Sequence, residues 1–289
     1  MTTSARRSLV LAIVVVLATV SACASSVGDR SSVDSPQTTE RADAGSMTDA
    51  SADTVPANSE IPTTTAPSSP LAGRTIVLDP GHAGGNASHA ADIAREVFIG
   101  SGWKACDTSG TQTRDGYAEH VHNWDVAQRT AALLRAAGAE VVLTRTDDER
   151  WGPCIDERAR IGNDAAADAV VSIHADGGPD GGRGFHVLHP TAVTPQSATI
   201  VEPSKRLAIA VRDAFARITG MPTASYLGAA GLMPRGDLGG LNLSTVPKVF
   251  LEAGNMRNAS DAALLSDPGF RQTEAEAIVA GLIAFLGGG

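Results

Sequence analysis

Basic residues are in short supply in this chain: 23 Lys and Arg face 32 Asp and Glu, for a formal charge of −9 at pH 7. A nucleic-acid partner would call for a basic surface, so nucleic acid is not expected here. No internal repeat is evident. The one long apolar run, Leu9–Val20, is too short to span a bilayer comfortably. Cysteine is scarce as well. Cys23, Cys106 and Cys154 are the only three, and neither of the last two has a CxxC partner or an adjacent His. That disfavours a zinc pair or a catalytic thiol, the two rivals to a disulfide.

What is present divides into three parts. Residues 1–22 read as a signal peptide, with Arg6 and Arg7 as the charged start and Leu9–Val20 as the apolar stretch. An arginine pair alone is a weak pointer to twin-arginine export, so the export route stays open. Val20-Ser21-Ala22-Cys23 resembles a lipobox, which makes Cys23 the lipidation site and the membrane a partner through that anchor. A plain secretory signal with an incidental Cys is the alternative. Residues 24–70 carry seven acidic and two basic residues and almost no large apolar ones. Such a stretch cannot bury enough surface to offset its ordering entropy, so a disordered tether over residues 23–70 is expected. The chain is thus expected outside the cytoplasm, on the outer face of the cytoplasmic membrane or in the cell envelope.

From residue 71 to 289 the composition is globular and long enough for one core. Strands are predicted at Thr75–Leu78, Glu140–Thr144, Ala169–Ile173, Gly184–Leu188 and Lys248–Leu251. Helices are predicted at Asn123–Ala137, Ile155–Asp164, Ser204–Thr219 and Phe270–Leu286. Apolar strands alternating with helices predict an α/β fold. It would be a single domain with a mostly parallel twisted sheet and helices on both faces. In an exported domain, Cys106 and Cys154, both in loop-like sequence, are expected to form one disulfide. Nothing demands more than a monomer.

Three apolar strands each deliver a metal-type or acidic group. Thr75-Ile76-Val77-Leu78-Asp79-Pro80-Gly81 ends in His82, Ala169–Ile173 leads to His174, and Val249-Phe250-Leu251 leads to Glu252. Ligands bind at the carboxyl edge of such sheets. A catalytic zinc takes three nitrogen or oxygen ligands and keeps one position open. His82 and His174 supply two. On chemistry alone the third lies among His89, Glu96, Glu119, His120 and His122. Glu252 is a candidate base for an attacking water, and the pattern as a whole points to a metal hydrolase. A lone His after a strand is more often a buried structural residue, and Glu252 could merely pair with Arg235 or Arg257. Three such groups at equivalent strand positions are harder to explain that way.

Val77-Leu78-Asp79-Pro80-Gly81-His82, Ser172-Ile173-His174-Ala175-Asp176 and Phe250-Leu251-Glu252-Ala253-Gly254 resemble the signature segments of the zinc-dependent N-acetylmuramoyl-L-alanine amidases. The similarity runs from about Arg74 to Leu286. In that family a ligand Glu stands four residues before an Asn at the head of a helix, which Glu119 and Asn123 match. The resemblance therefore implies one Zn2+ held by His82, Glu119 and His174, with Glu252 as the catalytic carboxylate. Pro247 and Asn258 also fit the pattern around that Glu. Cys106 with Cys154 looks most like the actinobacterial members, including mycobacterial peptidoglycan amidases. His120 stands where many members have Lys, so it is a possible competitor for metal. Only Ala175–Pro203 separate His174 from the next predicted helix, leaving little room for the inhibitory helix of some division amidases. An open cleft is expected.

The implied reaction is cleavage of the amide between N-acetylmuramic acid and L-alanine in peptidoglycan, during remodelling or turnover. Arg235 is a candidate contact for a peptide carboxylate. His186 is expected to be structural. The rival readings are a zinc peptidase cutting within the stem peptide and a non-catalytic wall-binding lipoprotein.

Overall fold

The computed structural model describes residues 69–287. The expected leader, Cys23 and the tether up to residue 68 lie outside them. Among the described residues, no helix is long and apolar enough to cross a membrane.

The centre of the fold is a six-stranded sheet. Its strands are β1 (Thr75–Pro80), β4 (Glu140–Leu143), β5 (Ala169–Asp176), β6 (His186–Pro190), β7 (Leu232–Arg235) and β8 (Lys248–Asn255). They lie in the order β4-β1-β5-β8-β6-β7. All neighbours run parallel except β8 and β6, which are antiparallel. A short helix α1 (Ala90–Ile93) leads to a separate two-stranded hairpin that pairs β2 (Glu96–Phe98) with β3 (Trp103–Ala105). The strands are rich in Val, Ile and Leu, as expected of a sheet covered on both sides.

Successive residues face opposite sides of a strand, and the two sides of this sheet do different work. One side carries Ile76, Leu78, Val171, Ile173, Val187 and Leu251 into the main core. That core is closed by α2 (Glu119–Ala136), α4 (Pro195–Thr219) and α7 (Pro268–Leu286). The opposite side carries Asp79, Ser172, His174, Phe250 and Glu252, and is covered by α3 (Ile155–Asp164) and the short α5 (Gly239–Asn242). Glycines allow those two helices to lie close. A Cβ on Gly162 would come within 3.1 Å of Val170, and one on Gly240 within 3.0 Å of Phe250.

Several boundaries differ from the expected ones for local reasons. Helix α2 starts at Glu119, four residues before Asn123, because Ala118 is still extended and the helix turns immediately after it. Gly138 follows its end with φ +91, the left-handed conformation expected at that helix end. Helix α4 starts at Pro195 rather than Ser204 and runs through Pro203. Its first turn is fixed by a Thr194–Ser197 capping box with Pro195 at the first position, a start strong enough to carry past the internal proline. No separate helix lies between His174 and α4. Asn258 caps α6 (Ala259–Leu265) by accepting from the Ser260 and Asp261 amides.

Candidate metal centre and active site

His82 stands two residues past β1, His174 lies inside β5, and Glu119 is the first residue of α2. One ligand atom from each falls within 4.8 Å of the others. Glu119 Oε1 is the meeting point, 3.3 Å from His82 Nε2 and 3.0 Å from His174 Nδ1. The Glu119 carboxylate is itself fixed. Its Oε2 accepts from the Thr111 amide at 2.9 Å, and its Oε1 accepts from the Ala175 amide at 3.3 Å. Asn123, one turn along α2, donates to the Gly81 carbonyl at 3.1 Å and so ties the helix to the His82 turn.

The turn at His82 is tight. His82 has φ +57, a left-handed conformation that costs a non-glycine residue about 1–3 kcal/mol. Gly81 before it has no room for a side chain, since a Cβ there would lie 2.1 Å from the His174 ring. Gly110, at φ +77, is confined in the same way, with a Cβ falling 2.8 Å from both Glu119 and His82. The two imidazoles lie edge to face at 5.0 Å, and His174 stacks on Phe250 at 5.2 Å.

Behind His82 lies a buried polar relay. Nδ1 of His82 is 3.1 Å from Asp107 Oδ1 and 3.0 Å from the Thr108 carbonyl. Both are acceptors, so Nδ1 carries the hydrogen and Nε2 is left to ligate, the usual arrangement for a metal-binding histidine. Arg158 on α3 donates to Asp107 at 3.2 Å, to the His82 carbonyl at 2.9 Å and to Asp79 at 3.0 Å. Asp79 also accepts from Lys248 at 2.9 Å, Thr144 at 2.8 Å and Ser172 at 3.0 Å. The Cys106–Cys154 disulfide joins the residue before Asp107 to the residue just before α3.

Charge is distributed accordingly. Burial works against protonation of His82, but Glu119 and Asp107 outweigh it and push its pKa up to about 10. Burial likewise opposes ionisation of Glu119, and His82 and His174 overcome it, holding that carboxyl well below its usual range. His82 and Glu119 thus form a close pair of opposite charges. Glu252 behaves differently. It pairs in register with His174 on one side and His186 on the other. Burial and then the negative charges of Glu119 and Asp176 push its carboxyl well above the ordinary value.

The other candidates are engaged elsewhere. His120 pairs with Asp148 at 2.8 Å, so it is turned away from the cluster. His122 is fully buried against Glu274 at 2.9 Å, His89 bonds the Gly85 carbonyl at 2.9 Å, and Glu96 lies on the hairpin. Arg235 ends β7 and forks onto Asp237 at 2.6 and 2.7 Å. His186 is buried, and among the described residues its Nδ1 has no partner. A cavity of about 290 Å³ is lined by His82 and His174 and walled by Phe250, Leu238, Ile155 and the hairpin residues Lys104 and Ala105.

A family model described as N-acetylmuramoyl-L-alanine amidase matches residues 76–284. The chain belongs to this amidase family. It is 43% identical over 217 residues to an N-acetylmuramoyl-L-alanine amidase of Mycobacterium tuberculosis, a span covering 75% of this amidase and 88% of the relative. The fold of this amidase is similar to the crystal structure of Ami1 from Mycobacterium smegmatis, with a TM-score of 0.72 and 47% identity, covering 76% of this chain and 99% of that one. Ami1 from Mycobacterium abscessus is similar at a TM-score of 0.70 and 46% identity, covering 75% and 100%.

Two functional positions escaped the residue patterns. Asp107 and Arg158 reach His82 only after folding, from 25 and 76 residues away. The one signal pointing to Asp107 was its neighbour Cys106.

Proposed function

We propose that this amidase hydrolyses the amide bond between N-acetylmuramic acid and L-alanine in peptidoglycan, with zinc at His82, Glu119 and His174. The observation that carries this reading is the convergence of those three donors within 4.8 Å, in a chain of this family, with Glu252 on the strand position beside His174. Two imidazoles and one carboxylate suit zinc, and Asp107 behind His82 is the outer partner such a ligand needs. Bound there, zinc would polarise the scissile carbonyl and make a water acidic enough to attack at neutral pH.

The remaining steps belong to side chains. Glu252, its carboxyl made ready to hold a proton by burial and by Glu119 and Asp176, takes a proton from the attacking water as the C–O bond forms. It returns that proton to the amide nitrogen as the C–N bond breaks, so the amine leaves neutral. Asp107, through Nδ1, keeps the His82 ring from rotating. Arg235 is the proposed stem-peptide contact: Asp237 holds Nε and Nη2, and among the described residues Nη1 has no acceptor. We further propose a monomeric catalytic domain over residues 71–289, exported by the leader at 1–22 and tethered to the membrane through a lipid on Cys23.

The test is mass spectrometry of products from purified peptidoglycan, with and without a chelator. Release of intact stem peptides beginning at L-alanine, abolished by chelation and restored by zinc, is expected. Cleavage within the stem would replace this reading with a peptidase, and activity indifferent to chelation would remove the metal.

A further inference from the structure

The β2–β3 hairpin carries two large aromatic side chains on its surface. Phe98 is 51% exposed and Trp103 is 63% exposed. They face one another across the hairpin as a register pair, with ring centroids 5.5 Å apart. Leaving two such rings in water forgoes the burial that aromatic side chains ordinarily supply. In a chain with only 4% aromatic residues, that placement calls for a reason.

The hairpin is not a loose flap. An isolated two-stranded hairpin is marginal at best. Here Val97 packs on the Cys106–Cys154 disulfide and Ile155 beneath it. Lys104 reaches Asp237 at 3.3 Å, Asn242 donates to Ser101 at 3.2 Å, and Gly100 sits so close to Thr194 that a Cβ would fall within 2.5 Å of it. The aromatic pair is therefore held in place on both flanks. Its position also matters: Lys104 and Ala105, the two residues after Trp103, wall the cavity that ends on His82 and His174.

We propose that Phe98 and Trp103 form a docking surface for the glycan strand of peptidoglycan, seating sugar rings on the aromatic faces beside the cleft. This proposal rests on the amidase reading above. Each pyranose ring has an apolar face of C–H groups, whose polarised hydrogens suit the negative face of an aromatic ring, and a rim of hydroxyls. The hairpin contributes Lys104 and Ala105 to the cavity wall, so it lies on one route for the sugar backbone of a polymer whose scissile amide reaches the cluster. Other occupants fit less well. Two side chains of about 150–250 Å² each fall short of the roughly 800 Å² per partner of a stable protein interface, so a second copy is disfavoured. The two strands carry one acid, Glu96, and one base, Lys104, where an anionic bilayer would select a basic cluster.

The experiment compares the full chain with a Phe98→Ala/Trp103→Ala variant on intact sacculi and on a single-sugar muramyl dipeptide. On sacculi, KM is expected to rise about ten-fold, the scale of one or two lost stacking contacts. On the single-sugar substrate, kcat/KM is expected to stay within about two-fold. The Phe98→Tyr/Trp103→Tyr variant keeps the rings and is expected to keep wild-type KM. Cosedimentation of chelated protein with peptide-stripped glycan reads the surface without turnover, and is expected to weaken with the alanine variant alone. Equal losses on both substrates, no loss on sacculi, or glycan binding unchanged by the alanine pair would overturn the proposal. So would loss of binding to phosphatidylglycerol vesicles, or loss of a dimer, as the variant's main effect. A wild-type chain that bound glycan yet cleaved neither substrate would strike at the amidase reading and leave this surface standing.

Discussion

Replacing Asp107 by Asn isolates the charge behind His82, the proposed metal ligand, from its geometry. The Asn oxygen can still accept from His82 Nδ1 and from the Thr108 amide, which Asp107 Oδ1 now meets at 3.1 and 2.7 Å. The new amide group, however, turns a donor toward Arg158, where Oδ2 now accepts at 3.2 Å. Arg158 keeps its bonds to Asp79 and to the Pro80 and His82 carbonyls, so it is not stranded and the fold is expected to survive. What is lost is the negative charge that, in the proposed centre, makes His82 a better ligand. Removing such an outer partner typically weakens metal affinity about 10- to 100-fold, or about 1.4–2.7 kcal/mol. Competition of the purified protein against a chromophoric zinc chelator reads that change, with thermal melting of the metal-free protein as the control for folding. An unchanged zinc Kd in a normally melting variant would refute the reasoning and leave the Thr108 carbonyl, 3.0 Å from Nδ1, as sufficient to orient the ring.

Glu252→Gln is expected to bind zinc and to lose about 10²- to 10⁴-fold in turnover, the worth of a positioned general base, measured by product release from peptidoglycan. Because the folded environment raises the Glu252 carboxyl, its ionisation costs stability as pH climbs above its unfolded value. The Gln variant should therefore melt higher than wild type when metal-free at neutral pH. For Asp79, burial favours the neutral acid, but Lys248 and Arg158 prevail and hold the carboxyl far below the usual range. That stability is present above about pH 3.9 and is lost as pH falls below it, at about 1.4 kcal/mol per pH unit. Asp79→Asn is expected to lose about 3–5 kcal/mol in urea melts at pH 7, because Lys248 stays buried without its counter-ion, with the deficit narrowing below pH 4. Replacing both Cys106 and Cys154 by Ser opens a bridge spanning 48 residues and is expected to cost up to about 4 kcal/mol, read from the same melts.

The features legible in the sequence were those written as continuous local patterns. Ile76–Leu78, Val170–Ile173 and Val249–Leu251 announce buried strands because they lie on a sheet covered on both faces. Their parallel order follows from the helices between them. The antiparallel junction of β6 and β8 was not legible, since strand direction depends on where the connecting chain returns. Strands of three residues, such as β2 and β3, are too short to show a period. Pro203 masked the first turns of α4, whose start is set by Thr194 and Ser197 rather than by an apolar repeat. At the site, His82, His174 and Glu252 stood out because each follows an apolar run, whereas residue chemistry alone left five candidates for the remaining ligand. Resemblance selected Glu119, and the structure gathers it with the two histidines.

The site also explains why its supporting residues are hard to find in a linear reading. The sheet face beneath the cleft buries Asp79 and Lys248, and Arg158 descends onto them from α3. Buried charges of this kind cost more than an apolar core would, unless each has its partner. Here the same guanidinium that neutralises Asp79 also holds the His82 carbonyl and the Asp107 carboxylate. One side chain therefore couples the core of the sheet to the backbone strain at His82 and to the orientation of its ring. The disulfide fastens the two segments that bring Asp107 and Arg158 together. A substitution at Arg158 should accordingly damage folding and metal affinity at once, whereas one at Asp107 should separate them. That difference between two residues 3.2 Å apart distinguishes a structural support from a positioning group.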